Sequence, residues 1–72
     1  MKSLLSLKKG ERAQIHSLLT NNEATLRKFM AFGILPGAVV EIIQISPVYV
    51  LRVDFTQVAV DSELAGKIMV GC

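Results

Sequence analysis

The chain has 72 residues, 51% of them apolar, 19% charged, with a formal net charge of +2. That mix excludes a disordered polyelectrolyte and, since no apolar run approaches the roughly 20 residues that span a bilayer, a membrane-spanning segment. A single cysteine, Cys72, excludes an internally stapled disulfide scaffold and fits a reducing compartment.

The stretch Leu4-Leu5-Ser6-Leu7 is too short and too poorly followed by small residues to be a secretion signal. It leads through Lys8 and Lys9 to a turn at Gly10. From Glu11 to Leu18 polar and apolar residues alternate, which predicts a strand with Ala13 and Ile15 on the buried face and His16 on the other. Thr20-Asn21-Asn22-Glu23 has capping-box spacing, with Thr20 as the expected N-cap of a helix running to Phe32. Leu26, Phe29, Met30 and Gly33 share a face at spacings of three and four, while Arg27 and Lys28 lie elsewhere on the helix. Gly33 supplies the left-handed conformation that ends a helix.

Pro36-Gly37 predicts a type II turn, because Pro presets the first central torsion and Gly accepts a positive φ at the second. Strands are expected at 38–45, 48–54, 57–60 and 67–70, with Ser46-Pro47 breaking the first pair. In the second of these, Tyr49, Leu51 and Val53 share one face, and Val48, Val50, Arg52 and Asp54 the other. Asp61 caps a short helical turn that ends at Gly66. The expected fold is therefore a single domain over residues 1–72, mainly β with one α-helix: a small barrel of about five strands, with the helix after the first strand and a short helical turn before the last.

The run LRKFMAFGILPGAVVEI, Leu26 to Ile42, resembles the signature of the ferrous-iron transport protein A (FeoA) family. Leu26, Phe29, Met30, Phe32, Gly33, Ile34, Pro36, Gly37, Val40 and Ile42 stand at the matching positions. The flanks LLSLKKGERAQI and VAVDSELAGKIMV are similar to the family's entry and closing segments. One departure is the loop between the central strands. Relatives often carry a longer Pro-Leu-Gly-Asp-Pro loop where this chain has Ser46-Pro47-Val48-Tyr49. The resemblance implies an SH3-like small β-barrel. It also implies a cytoplasmic accessory of ferrous iron uptake, held at the inner membrane through its partner, the cytosolic GTPase region of the FeoB permease.

The residues offer little for other chemistries. His16 and Cys72 are the sole histidine and cysteine, with no third group placed to orient a nucleophile, so an enzyme is not expected. His16, Cys72, Asp54, Asp61 and Glu63 are scattered, with no His-x-His or Cys-x-x-Cys, so neither a metal site nor a cofactor is expected. No GxxxxGK[ST] loop is present, so any link to GTP runs through a partner. Lys8, Lys9 and Arg12 form a basic cluster, but of the aromatics only Tyr49 is expected outside the core, a poor platform for stacking bases. Two alternatives to the accessory role stay open: a nucleic-acid-binding barrel, and an Fe(II) carrier or sensor.

The apolar residues exceed what so small a core needs. Leu26, Phe29, Met30, Val40, Ile42, Val53 and Ile68 are assigned to the core, joined by Ile34 and by Leu5 or Leu7. Leu35, Val39 and Ile43 are left over. With Arg27, Lys28 and Pro36 they make the expected docking surface, for a partner protein or a second copy. Gly33, Pro36 and Gly37 are expected to hold its turn.

Overall fold

The computed structural model describes residues 1–71. In chain order it has β1 (Lys2–Ser3), a short 3-10 turn (Leu4–Ser6), β2 (Arg12–Leu18), α1 (Glu23–Ala31), β3 (Val39–Gln44), β4 (Tyr49–Val53), β5 (Thr56–Val60), α2 (Ser62–Ala65) and β6 (Ile68–Val70). The strands form one sheet in the order β1-β6-β2-β3-β4-β5, every neighbouring pair antiparallel. The mainly β fold with one main helix is as the sequence led us to expect, with one strand more. The extra strand is β1, whose Lys2 and Ser3 pair with Val70 and Met69. Two residues are too few to show a period, so only the pairing reveals this strand.

The N-cap of α1 is Asn22, not Thr20. The Asn22 side-chain oxygen accepts from the Thr25 amide at 3.0 Å, satisfying a helix N–H that has no partner within the helix. Thr20 Oγ1 accepts instead from the Asn22 amide at 3.1 Å and shapes the approach. At the other end Gly33 has φ +77°. Its N–H donates to the Met30 carbonyl at 3.0 Å and the Ile34 N–H donates to the Phe29 carbonyl at 2.8 Å. These are the two bonds of a Schellman motif, and Phe29 and Ile34 supply its apolar contact pair, both wholly buried.

The type II turn is present. Ala38 N–H donates to the Leu35 carbonyl at 3.0 Å and Gly37 has φ +96°. The turn is fastened to the middle of β2, since Gly37 N–H donates to the Ile15 carbonyl and Ile15 N–H to the Ala38 carbonyl, both at 2.8 Å. Two central residues, Asp54 and Phe55, join β4 to β5, with Asp54 at φ +55°.

Val40, Ile42 and Val53 are buried as expected, and Leu51, on the Val53 face of β4, is buried with them. Ile34, Leu7 and Ile68 are buried with them. Other assignments fail. Met30 is 58% exposed and Leu26 only half-buried. Helix α1 reaches the core through Phe29, while the Schellman turn folds Ile34 in beneath the helix end. Leu4, which is not among the residues assigned to the core, is wholly buried, whereas Leu5 is 43% exposed. The aromatics are also exchanged: Tyr49 is buried on the Leu51–Val53 face of β4, and Phe55, at the tip of the β4–β5 turn, is fully exposed.

Candidate partner-binding surface

The outer face of the sheet carries a transverse row of polar side chains. Strand register sets Arg12 of β2 opposite Glu41 of β3, Glu41 opposite Arg52 of β4, and Arg52 opposite Gln57 of β5. Glu41 and Arg52 alternate with buried neighbours, and Arg12 and Gln57 stand opposite them in register, so all four side chains share the face turned away from the core. The Arg52 guanidinium donates to Glu41 Oε1 at 2.6 Å. Glu41 is the more covered partner, with 23% of its side chain exposed against 46% for Arg52. Among the described residues Arg12 makes no ion pair, so its charge is available at the surface.

Val39 and Asp54 lie one residue beyond the Val40–Val53 pair of β3 and β4, and Phe55 follows Asp54 in the turn. Together with the polar row they line an open groove of about 580 Å³. Its walls combine two arginines, two carboxylates, an amide and two exposed apolar side chains. Such a surface can seat a chain segment that brings both apolar and charged groups.

Of the six expected docking residues, only Val39 lines this groove. Val39 is 50% exposed and Leu35 is 43% exposed, in line with their place outside the core. Pro36 is exposed and Ile43 is half-buried. Leu35, Pro36 and Val39 sit on one continuous segment, the turn and the first residue of β3, so they share the groove's end of that strand. Arg27 and Lys28 are exposed on α1, where Arg27 pairs with Glu23 at 3.4 Å. That pair is strongly solvated and contributes little. Arg12, Glu41, Arg52, Asp54, Phe55 and Gln57 line the groove without belonging to the expected docking surface. The signal for Arg12, Glu41, Arg52 and Gln57 is an outward polar position on each of four strands, which becomes a row only once the register is known.

Among the described residues no three His, Cys, Asp or Glu side chains come close enough to hold a metal ion. The His16 ring lies 3.2 Å from Ser17 Oγ, in an exposed setting. Cys72 lies outside the described residues. No helix among the described residues is long and apolar enough to cross a membrane.

The family model for the FeoA domain matches residues 2–71. The chain belongs to the FeoA family. Among curated proteins no relative matches at a significant level. Solved structures of the family superimpose closely on this FeoA-family chain. A crystal structure of an iron uptake regulatory protein, FeoA, aligns with a TM-score of 0.87 at 21% identity, covering 97% of this chain and 93% of that one. FeoA of Chlorobium tepidum, solved by NMR, gives 0.84 at 26% identity over 97% of this chain and 68% of that one. FeoA of Stenotrophomonas maltophilia, solved with zinc and described as a procaryotic SH3 domain protein, gives 0.82 at 25% identity over 99% and 91%. The fold is thus the SH3-like one that the resemblance implies.

Proposed function

We propose that this FeoA-family chain is a non-enzymatic accessory of ferrous iron uptake that binds the cytosolic GTPase region of a FeoB-like permease and modulates transport. The reading places it in the cytoplasm, at the inner membrane when its partner holds it. Family membership across residues 2–71 supports the pathway. A further support is that the Stenotrophomonas maltophilia relative has been put forward as a ferrous iron transport activating factor. The observation that carries the binding role is the exposure of Leu35 and Val39 at the start of β3, beside the charged groove. Leu35 on a turn bonded to β2 and Val39 in the β3 ladder meet a partner with their backbone already ordered, which lowers the cost of binding. Charged groups nearby, Arg12 in the groove and Arg27 and Lys28 on α1, would set orientation and association rate more than affinity.

The test is titration calorimetry of the chain against the permease's cytosolic domain, with the parent and Leu35→Asp. Leu35 is not part of the buried core, so the variant is expected to melt like the parent while its affinity falls at least about tenfold, the effect of placing a charge in an apolar contact. Unchanged affinity in the folded variant removes this surface, and no binding by the parent removes the partner.

A further inference from the structure

The two edges of the sheet are unlike each other. β1 has two residues and runs straight into a 3-10 turn, which leaves little edge to pair with. β5 is a full five-residue strand, Thr56-Gln57-Val58-Ala59-Val60, paired with β4 in unbroken register. Sheet edges that stay unpaired are usually protected by lysine, proline, a bulge or shortness. β5 has none of these: it contains no charge and no proline, and its ladder shows no shift.

Hairpin geometry identifies which groups are free. Val53 and Thr56 flank a two-residue turn, so they form a hydrogen-bonded pair, as do Leu51–Val58 and Tyr49–Val60 in alternation. The N–H and C=O groups of Gln57 and Ala59 therefore point away from β4. Among the described residues no other backbone group bonds to them.

We propose that this edge pairs with the β5 edge of a second copy of the chain, antiparallel about a two-fold axis through Val58. In that register Gln57 of each copy faces Ala59 of the other. It is the register in which both outward residues of both strands exchange all their bonds within the strand itself, four in total. Self-pairing brings no like charges together, because the strand carries none. On the outer face each long Gln57 side chain lies against a small, exposed Ala59. On the inner face the two half-buried Val58 side chains meet on the axis. The sheet then runs on from one copy into the next. Phe55 and Gln57 line the β5 rim of the groove, so the two grooves come to lie side by side across the axis. The contact is symmetric and closed, so it ends at a dimer.

The experiment uses the full chain carrying Cys72→Ser. Sedimentation velocity over a concentration series is expected to show a reversible rise to twice the monomer mass. Ala59→Pro removes an outward N–H from each copy and leaves the β4 ladder bonds intact; it is expected to weaken the dimer about tenfold or more. Val58→Cys is expected to form a disulfide-linked dimer on mild oxidation, because directly opposed side chains in this pairing approach to disulfide range. Val48→Cys, on the exposed loop before β4, is the control and is expected to stay uncrosslinked at matched concentration. Monomer mass throughout the series overturns the proposal, including the case in which a permease strand occupies the edge instead. A dimer that Ala59→Pro leaves intact and that Val58→Cys fails to capture overturns it as well. If Ala59→Pro does not fold, the Val58→Cys and Val48→Cys comparison decides alone.

Discussion

Gly33 allows a clean separation of backbone strain from crowding. Its φ is +77°, and a Cβ built on it would meet its nearest neighbour, Val53 Cγ1, at 3.8 Å, an ordinary contact. Gly33→Ala therefore creates no clash, and its cost is conformational. Holding an L-residue in the left-handed region costs roughly 1–2 kcal/mol. The loss of unfolded-state freedom on replacing Gly returns about 0.4–1 kcal/mol. The net cost is about 1 kcal/mol, which for a domain of this size lowers Tm by about 4–8 °C. Gly33→Val adds the β-branch, which tolerates positive φ worst, so about 2–3 kcal/mol and at least twice the shift are expected. Gly33→Asn should fall between glycine and alanine, since Asn visits this region at lower cost. Thermal melts followed by circular dichroism check the order Gly, Asn, Ala, Val. An alanine variant melting within about 1 °C of the parent, or a valine variant more stable than alanine, would show that the Schellman end of α1 is not what requires glycine here.

The remaining expectations concern the anchors around that helix and the surface row. Phe29→Ala deletes the single fully buried side chain of α1, at an expected cost of about 3–5 kcal/mol in urea unfolding; a loss under about 1 kcal/mol would mean that the helix is not held through this ring. Asn22→Ala removes the cap to the Thr25 amide, costing about 1 kcal/mol, whereas Thr20→Ala should cost less if the cap is assigned correctly; the reverse order in thermal melts would restore Thr20 as N-cap. A double-mutant cycle on Glu41 and Arg52 should give a coupling of at most about 1 kcal/mol that shrinks with added salt, because both side chains remain partly solvated; a larger, salt-insensitive coupling would mark a pair shielded from water.

What was legible in the sequence followed from local rules. Alternation along Val39–Gln44 and Tyr49–Val53 sorted buried from outward residues because each of these strands has one face on the core. Pro36-Gly37 and Gly33 were readable because their φ requirements admit few other residues. The misassignments came where two local rules competed or where none applied. Thr20 and Asn22 are both competent caps, and the spacing of Glu23 favoured the wrong one. Met30 matches a helical stripe wider than the one this helix buries, and Leu4 lies in a stretch with too little regular structure to show a period. The groove was not legible at all as a unit. Arg12, Glu41, Arg52 and Gln57 are separated by up to 45 positions and are brought abreast by the register of three strand pairs.

The apolar excess of the sequence resolves into unequal parts once exposure is known. Leu4, Leu7 and Ile34 go inward, which uses much of it. Of what stays outside, Val39 and Phe55 both line the groove, and Leu35 sits four residues before Val39 on the same turn-and-strand segment. The charges around them are partly spent: Glu41 and Arg52 neutralise each other, leaving Arg12 and Asp54 to face a visitor. A partner meeting this face thus finds apolar contact along the start of β3 and a positive and a negative group flanking it. Affinity would then come from Leu35, Val39 and Phe55, and orientation from the two unpaired charges. The residues that match the family signature at Pro36 and Gly37 act indirectly in this arrangement. Pro36 and Gly37 form the turn, the Gly37 N–H ties it to β2, and Val39 is held in the ladder opposite Gln14, so Leu35 and Val39 are presented on an ordered backbone.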